Sequence, residues 1–276
     1  MADIKLEGKD LIRDIDSYKP GKKEIGLWWL GQHSFVVKAG TSVVYIDPYL
    51  EPAKRRQVPP LLKPMQITNA AIVLGTHDHG DHIDRTAWPG IAVASPKVKF
   101  VVPDLLLPRL GRELGIASEH FVGMDEGKTV DIGGVKVSGV AAAHEFLDRD
   151  EATGKYPYLG YVIETGGFTL YHAGDTCKYE GLETKLKKWK FDVMFLPING
   201  RDAERLSHNC IGNMTYQEAA DLAGALKPKL TIPAHYDMFA MNSEDPKKFT
   251  DYMKVKYPNL KTMICGYGAR VSLGKG

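Results

Sequence analysis

The sequence predicts an α/β fold in which two packed β-sheets carry helices on their outer faces. Apolar runs of strand length occur in groups, helical patterns lie outside these groups, and this order repeats more loosely in the second half. The chain has 276 residues, of which 43% are hydrophobic and 25% charged, so it can bury a large core. This composition excludes disordered, collagen-like and coiled-coil proteins.

The first half is expected to contain one short helix followed mainly by strands. Residues 5–19 carry Leu11, Ile12 and Ile15 at helical spacing, and Lys19-Pro20-Gly21 ends the pattern. Asp104 can cap a second helix that runs to about Leu114. Strands are expected at 25–30, 34–38 and 42–46, at 70–75 as a fully buried strand, within 93–102, and at 129–132 and 135–142 as a hairpin.

The second half contains more helix. Thr215 and Glu218 have the spacing of a capping box and predict a helix to about Leu226. Asp245-Pro246 begins another that runs to about Val255. A helix is also expected at 182–189, and strands at 158–164, 168–171, 192–198, 230–233, 262–264 and 270–273. Without a linker or repeat, residues 1–276 are predicted to form one domain with a helical extension at about 1–20.

Charge and cysteine content favour a cytoplasmic protein that acts on a small-molecule substrate. The formal net charge is only +2, which argues against nucleic acid as a partner. Apolar runs are too short to cross a membrane, and the charged N-terminus does not resemble a signal peptide. The three cysteines, which form no CxxC motif, favour a reduced, cytoplasmic chain: Cys177, Cys210 and Cys265.

The loop after the buried strand carries the most specific signal in the sequence. It places His77, His79, Asp81 and His82 within six positions, and Gly80 allows the chain to turn between the two halves of the group. Imidazole and carboxylate together suit zinc, manganese or iron. The alternative is a polar loop before a helix, with Asp81 as its cap, but three histidines so close together favour a metal site.

Four more positions follow apolar strands, and each is weak evidence alone: Asp47, His144, Asp175 and His235. With the histidine loop, they resemble the metallo-β-lactamase-fold hydrolases, whose signature HxHxDH follows a buried strand. The resemblance implies a four-layer αββα sandwich and two divalent metal ions, zinc or manganese with iron as an alternative. One ion would take His77, His79 and His144, and the other Asp81, His82 and His235. Asp175 would bridge the ions, and Asp47 would orient a ligand histidine.

The same resemblance implies a hydrolase that uses a metal-bound hydroxide. Asp81 would also orient this nucleophile, and Tyr236 or His172 would donate a proton to the oxyanion or leaving group. Arg201, His208 and Lys178 are candidates for contact with an anionic substrate. The basic triplet at 54–56 lies in a proline-flanked loop and is interpreted as solvated, with a flap over the site as the alternative.

Segments LWWLG at 27–31, THDHGDHID at 76–84, LYHAGDT at 170–176 and PAHYD at 233–237 resemble the L-ascorbate-6-phosphate lactonase group. This closer resemblance implies a bacterial, cytosolic homo-oligomer that opens a small anionic lactone. His144 and the shorter chain depart from that lactonase and bring the sequence nearer to general two-metal members. The alternatives are a phosphodiesterase or RNA-processing nuclease of the same fold, or an iron-dependent redox member.

Overall fold

The computed structural model describes residues 4–275, so the first three residues of the predicted N-terminal extension lie outside the described part. The strands of the described residues are β1 (Glu24–Gly31), β2 (Ser34–Ala39), β3 (Ser42–Ile46), β4 (Ile72–Leu74), β5 (Lys99–Pro103), β6 (Phe121–Met124), β7 (Thr129–Ile132), β8 (Val135–Ala141), β9 (Leu159–Thr165), β10 (Phe168–His172), β11 (Val193–Pro197), β12 (Leu230–Ala234) and β13 (Arg270–Gly274). The α-helices are α1 (Gly8–Ser17), α2 (Trp88–Ala94), α3 (Leu107–Leu114), α4 (Leu182–Leu186), α5 (Ala203–Ser207), α6 (Tyr216–Leu226) and α7 (Pro246–Lys256).

The strands form two mixed sheets, as the sequence predicts. The first sheet has the order β13-β1-β2-β3-β4-β5-β6 and the second has the order β12-β11-β10-β9-β8-β7. Strands β1 to β3 make an antiparallel meander, whereas β3 to β6 run parallel. In the second sheet, β10, β11 and β12 are parallel. Apolar side chains from both sheets and from the helices join in one core cluster.

Burial on both faces explains the uninterrupted apolar runs of the central strands. All three residues of β4 are buried, and so are the five residues of β11, as expected for strands that are covered on both faces. Thr215 caps α6, where its side chain accepts a hydrogen bond from the Glu218 amide. Asp245 caps α7 in the same manner through the Lys247 amide.

Three predictions of local structure are wrong. Val93 lies in helix α2 instead of a strand; Pro89 occupies the first turn, where its missing amide hydrogen has no cost. Asp104 caps no helix, because its carboxylate pairs with Lys128 and Lys155 and a short 3-10 helix precedes α3. The segment 262–264 contributes only an isolated bridge, from Thr262 to β12.

The parallel strands bring their carboxyl ends together at one edge of the sandwich. In the first sheet, Ile46 at the end of β3 is paired with Leu74 at the end of β4. In the second sheet, β10 and β12 both run parallel to β11. Segments that follow these strands therefore meet where the two sheets face each other, and the polar residues singled out in the sequence lie there.

Candidate metal centre

The predicted ligand residues converge at this edge from both sheets. Asp47 follows β3, the histidine loop follows β4, His144 follows β8, Asp175 follows β10 and His235 follows β12. Donor atoms from this set lie within 4.8 Å of one another in three groups of three: His77, His79 and His144; His77, His82 and Asp175; and Asp81, His82 and His235.

Unusual backbone conformations place several of these side chains. Gly174 has φ +61°, and a Cβ at this position would lie 2.6 Å from the Leu159 carbonyl oxygen, so only glycine admits the turn that delivers Asp175. Asp47 and His235 also have left-handed backbones, with φ of +45° and +60°. Non-glycine residues adopt such conformations at a cost that the surrounding structure must offset, and they cluster at functional sites.

The first ligand group consists of three imidazole rings. His79 Nδ1 lies 3.0 Å from His77 Nε2 and 3.2 Å from His144 Nε2. Two atoms that bind one ion at about 2.1 Å are about 3.0 Å apart at a right angle and about 3.4 Å apart at the tetrahedral angle. These two spacings fit nitrogens that share one divalent ion, and all three nitrogens lie within 4.8 Å of one another.

The second group is joined to the first by Asp175. Its Oδ1 lies 3.3 Å from His82 Nε2, and its Oδ2 lies 3.1 Å from His235 Nε2 and 3.8 Å from His144 Nε2. Asp81 Oδ2 is 3.7 Å from His82 Nε2. Asp175 thus faces nitrogens from both groups, which is the placement that a bridging carboxylate requires.

Asp47 fixes the orientation of His82. Its Oδ2 accepts a hydrogen bond from His82 Nδ1 at 2.7 Å, while its two oxygens also accept from the amide and hydroxyl of Thr76, both at 2.8 Å. The opposite nitrogen of the ring, His82 Nε2, is buried and faces two other predicted ligands, Asp175 Oδ1 at 3.3 Å and Asp81 Oδ2 at 3.7 Å. A carboxylate that holds one ring nitrogen and turns the other toward further ligands is the arrangement that aims a histidine at a metal.

The histidines of the two groups differ in protonation. Burial disfavours the charged form of His82, but the carboxylates of Asp175, Asp47 and Asp81 outweigh it and raise the pKa of this ring well above its usual value, so a cation bound there would take the place of its proton. Burial lowers the pKa of His77 well below its usual value and that of His144 to about 4, so both rings are neutral and able to ligate at neutral pH. Burial opposes ionisation of Asp175, but the nearby His235 and His82 rings outweigh it and hold the pKa of this carboxyl well below its usual value. Within residues 4–275, no lysine or arginine forms an ion pair with Asp175.

A cavity of about 690 Å³ opens above the ligand groups. This volume is within the range of small-molecule sites, about 300–1,000 Å³. Its floor includes His79, Asp81, His144, Asp175 and His235, and its walls include Arg55, His208, Asn209, Cys210, Ile211, Phe239, Met241 and Asn242.

The two predicted proton donors, Tyr236 and His172, do not line this cavity. Tyr236 is buried against Trp29, with ring centroids 4.7 Å apart, and does not line the cavity. His172 is also fully buried; its Nε2 donates to the His33 carbonyl at 2.8 Å and its Nδ1 accepts from the Gly174 amide at 3.3 Å. Neither side chain is therefore placed as a proton donor by this cavity.

Of the three residues predicted to contact a substrate, one lines the cavity and two do not. His208 lines the cavity, and its Nδ1 is held by the Glu204 carbonyl at 2.9 Å, so Nε2 is the nitrogen left for a ligand. Arg201 instead makes a two-pronged ion pair with Glu218 at 2.6 and 2.7 Å outside the cavity. Lys178 is exposed and absent from the cavity lining. Arg201 lines a smaller pocket that shares Cys210 and Ile211 with the cavity, and its contact with a substrate stays a prediction, as does that of Lys178.

Arg55 and Gln32 are two polar residues of the site that sequence reasoning missed. Arg55 belongs to the basic triplet at 54–56, which the sequence predicts to be a solvated loop. In the structure it lines the cavity, and its Cζ lies 4.8 Å from the centroid of the Phe239 ring. The proline-flanked basic loop was the available signal. Gln32 lies between β1 and β2 and contacts both Asp81 and His235. No motif in the sequence marks Gln32.

Comparison with known proteins agrees with this architecture. Residues 42–236 match the family described as the beta-lactamase superfamily domain. The chain therefore belongs to the metallo-β-lactamase superfamily, as one of its UPF0173 metal-dependent hydrolases, and it has the metallo-β-lactamase fold. The fold and the superfamily predicted from sequence are thus confirmed.

Two relatives and one solved structure, all three archaeal, illustrate the similarity. A UPF0173 metal-dependent hydrolase of Pyrobaculum calidifontis is 31% identical over 226 residues, covering 80% of this chain and 88% of that protein. One from Archaeoglobus fulgidus is 29% identical over 251 residues, covering 90% and 98%. Among solved structures, Igni18, a metallo hydrolase from Ignicoccus hospitalis, has a TM-score of 0.71 at 20% identity and covers 92% of this chain and 100% of its own. These relatives give no support to the bacterial origin that the lactonase resemblance implies.

No helix among residues 4–275 is long and apolar enough to cross a membrane.

Proposed function

We propose that this metal-dependent hydrolase holds two divalent ions and opens a small anionic lactone or ester, with a sugar-phosphate lactone such as L-ascorbate 6-phosphate as the first candidate substrate. The observation that carries the proposal is the joining of two ligand groups by Asp175 on the floor of one cavity. His77, His79 and His144 would hold one ion, and Asp81, His82 and His235 the other. Such a pair lowers the pKa of a shared water toward neutrality and stabilises a developing oxyanion.

The cavity wall supports an anionic substrate of modest size. Arg55 is the one arginine or lysine that lines the cavity within the described residues, and Phe239 holds its guanidinium at the rim. A guanidinium in this place suits a carboxylate or phosphate, which it binds through paired hydrogen bonds. Ile211, Phe239 and Met241 add an apolar wall that would exclude water from the substrate.

His208 takes the place left by Tyr236 and His172 as the candidate acid–base group. Its Nδ1–H donates to the Glu204 carbonyl and the ring lines the cavity wall, so Nε2 is a proton acceptor in the neutral ring and donates to a leaving group once the ring is protonated on both nitrogens. Proton transfer by a positioned histidine typically contributes about 10²–10⁴-fold to a rate. Asp81, on the cavity floor, remains the candidate that orients the nucleophile.

A single basic residue at the rim argues against the nuclease alternative. Enzymes that act on nucleic acids bind the phosphate backbone through many lysine and arginine side chains. In the described part of this chain, only one arginine and no lysine line the cavity. The iron-dependent redox alternative differs from the hydrolase in its metal and not in its ligand types, so it is best addressed by the same experiment.

The test is a substrate panel assayed with metal-stripped protein and after addition of Zn²⁺, Mn²⁺ or Fe²⁺. The panel contains a sugar-phosphate lactone, a neutral lactone, an aryl ester, a bis-aryl phosphodiester and structured RNA. We expect lactone hydrolysis that depends on metal and is abolished in His77→Ala, with Lys178→Ala as the control outside the cavity. Preference for the phosphodiester or RNA, or an Fe²⁺-dependent consumption of O₂, would replace the proposal by the corresponding alternative.

A further inference from the structure

Gln32 occupies a buried position beside the second ligand group. It is fully buried in the turn between β1 and β2 and has a left-handed backbone with φ +51°. Its carbonyl accepts hydrogen bonds from the His235 amide at 2.9 Å and from Trp29 Nε1 at 3.1 Å. A strained backbone fixed by two such bonds defines where the side chain of Gln32 begins.

The end of this side chain lies among predicted metal ligands. Its Nε2 is 3.1 Å from Asp81 Oδ2 and 3.1 Å from His235 Nε2, while the other amide atom, Oε1, is buried without a hydrogen-bond partner. Amide nitrogen and oxygen exchange places by a half-turn about the last side-chain bond, with almost no change in shape. Either atom can therefore occupy the place beside Asp81 and His235.

An ion in the second group would favour the oxygen in that place. The lone pair of His235 Nε2 would bind the ion, so it could no longer accept a hydrogen bond from an amide N–H of Gln32. The two spacings of 3.1 Å also lie within the separation of about 3.0–3.4 Å expected for atoms that bind one ion. An amide oxygen in this place would add one ligand to the group of Asp81, His82, His235 and the bridging Asp175.

We propose that Gln32 binds the ion of the second group through Oε1. Carbonyl and carboxylate oxygens suit Mn²⁺ better than Zn²⁺, so Gln32 would bias this group toward Mn²⁺ relative to the all-histidine first group. The proposal rests on the two-ion site described under the proposed function, and it adds a ligand and a metal preference to that site.

The test compares two substitutions at Gln32 that separate a ligand from a hydrogen-bond donor. Gln32→Glu keeps an oxygen at the same distance but cannot donate to Asp81. Gln32→Asn keeps an amide and tolerates the left-handed backbone, but withdraws its end by one carbon. Gln57→Asn, an exposed site outside the cavity lining, is the matched control. Metal-free proteins are titrated with Mn²⁺ and with Zn²⁺ by calorimetry, and metal stoichiometry is measured by mass spectrometry.

We expect Gln32→Asn to weaken Mn²⁺ binding at the second group by about 10–100-fold, with a smaller loss for Zn²⁺. Gln32→Glu should bind Mn²⁺ at least as tightly as the native protein. Equal losses in both variants would instead identify Gln32 as a donor to Asp81, and no loss in either would remove it from the site; both results overturn the inference. If the native protein binds fewer than two ions, the proposed two-ion site is wrong. If it binds two ions and both Gln32 variants bind them as tightly as the native protein, only the proposal that Gln32 is a ligand is refuted.

Discussion

Asp47→Asn isolates the effect of orienting one ligand histidine. Asp47 is fully buried and accepts three hydrogen bonds, two from Thr76 and one from His82 Nδ1. Asparagine has the same shape and tolerates the left-handed backbone at this position, where φ is +45°, so the substitution should not disturb the turn. Alanine would remove all three acceptors and add backbone strain, which would confuse the result.

The magnitude follows from which of these bonds the amide can keep. Its oxygen still accepts from the Thr76 amide, and the Thr76 hydroxyl can rotate to accept from the new NH₂ group. The His82 contact is the one that fails, because an NH₂ group cannot accept the Nδ1 proton. The Nδ1 proton then has only the Thr76 hydroxyl oxygen, 3.2 Å away, as an acceptor, which favours the tautomer with a proton on Nε2, the nitrogen that faces the second ligand group. Losing such an orienting carboxylate costs about 10–100-fold in metal affinity, or about 1.4–2.8 kcal/mol.

Calorimetric titration of metal-free Asp47→Asn with Zn²⁺ and Mn²⁺ measures this effect, and Asp251→Asn on the exposed face of α7 is the control. We expect the weaker binding to appear at one of the two ions, the one that His82 ligates, while the all-histidine group retains its affinity. Native affinity for both ions in Asp47→Asn, together with loss of one ion in His82→Ala, would refute the reasoning about the tautomer.

Arg55→Gln should raise KM about 10-fold or more for anionic substrates, because the rim of the cavity loses its guanidinium, and should leave the KM for a neutral ester unchanged. Lys54→Gln is the control. An equal rise in KM for the anionic and the neutral substrate would contradict this role of Arg55. Arg201→Ala should lower the free energy of unfolding by at most about 1 kcal/mol, since its pair with Glu218 is partly exposed, with kcat/KM retained in steady-state assays; a tenfold loss of kcat/KM would return Arg201 to the site. Burial lowers the pKa of His172 to about 3 from 6.5, so below pH 6.5 the unfolded chain binds a proton that the folded protein does not. Urea unfolding of metal-free protein should therefore show stability falling by up to about 1.4 kcal/mol per pH unit on acidification from this ring, with a shallower slope in His172→Phe.

Local pattern accounts for most of the correctly predicted elements. The meander β1 to β3 was recognisable because its apolar runs are separated by short turns, and α6 because Thr215 and Glu218 form a capping box. Helix α2 was missed because Pro89 and Gly90 lower helical propensity, and packing of Trp88 and Ile91 in the core overrides that preference.

Proximity in sequence did not decide which side chains line the cavity. Tyr236 follows the candidate ligand His235 directly, but β12 ends at Ala234 and the chain bends at His235, where φ is +60°, and Tyr236 packs in the core against Trp29. Arg201 follows a strand end, yet Glu218 in the first turn of α6 holds its guanidinium outside the cavity. Contacts of this kind depend on which elements pack together.

The sequence by itself determined the ligand types and their positions after strands, because parallel strands deliver the residues at their carboxyl ends to a common edge. The tertiary structure alone decided which donor atoms face one another across the two sheets, with Asp175 lying between both groups. It also brought Arg55 to the rim and Gln32 beside Asp81, contacts of large sequence separation that no local pattern encodes. Side-chain direction and long-range packing fix such contacts, and both are properties of the folded chain.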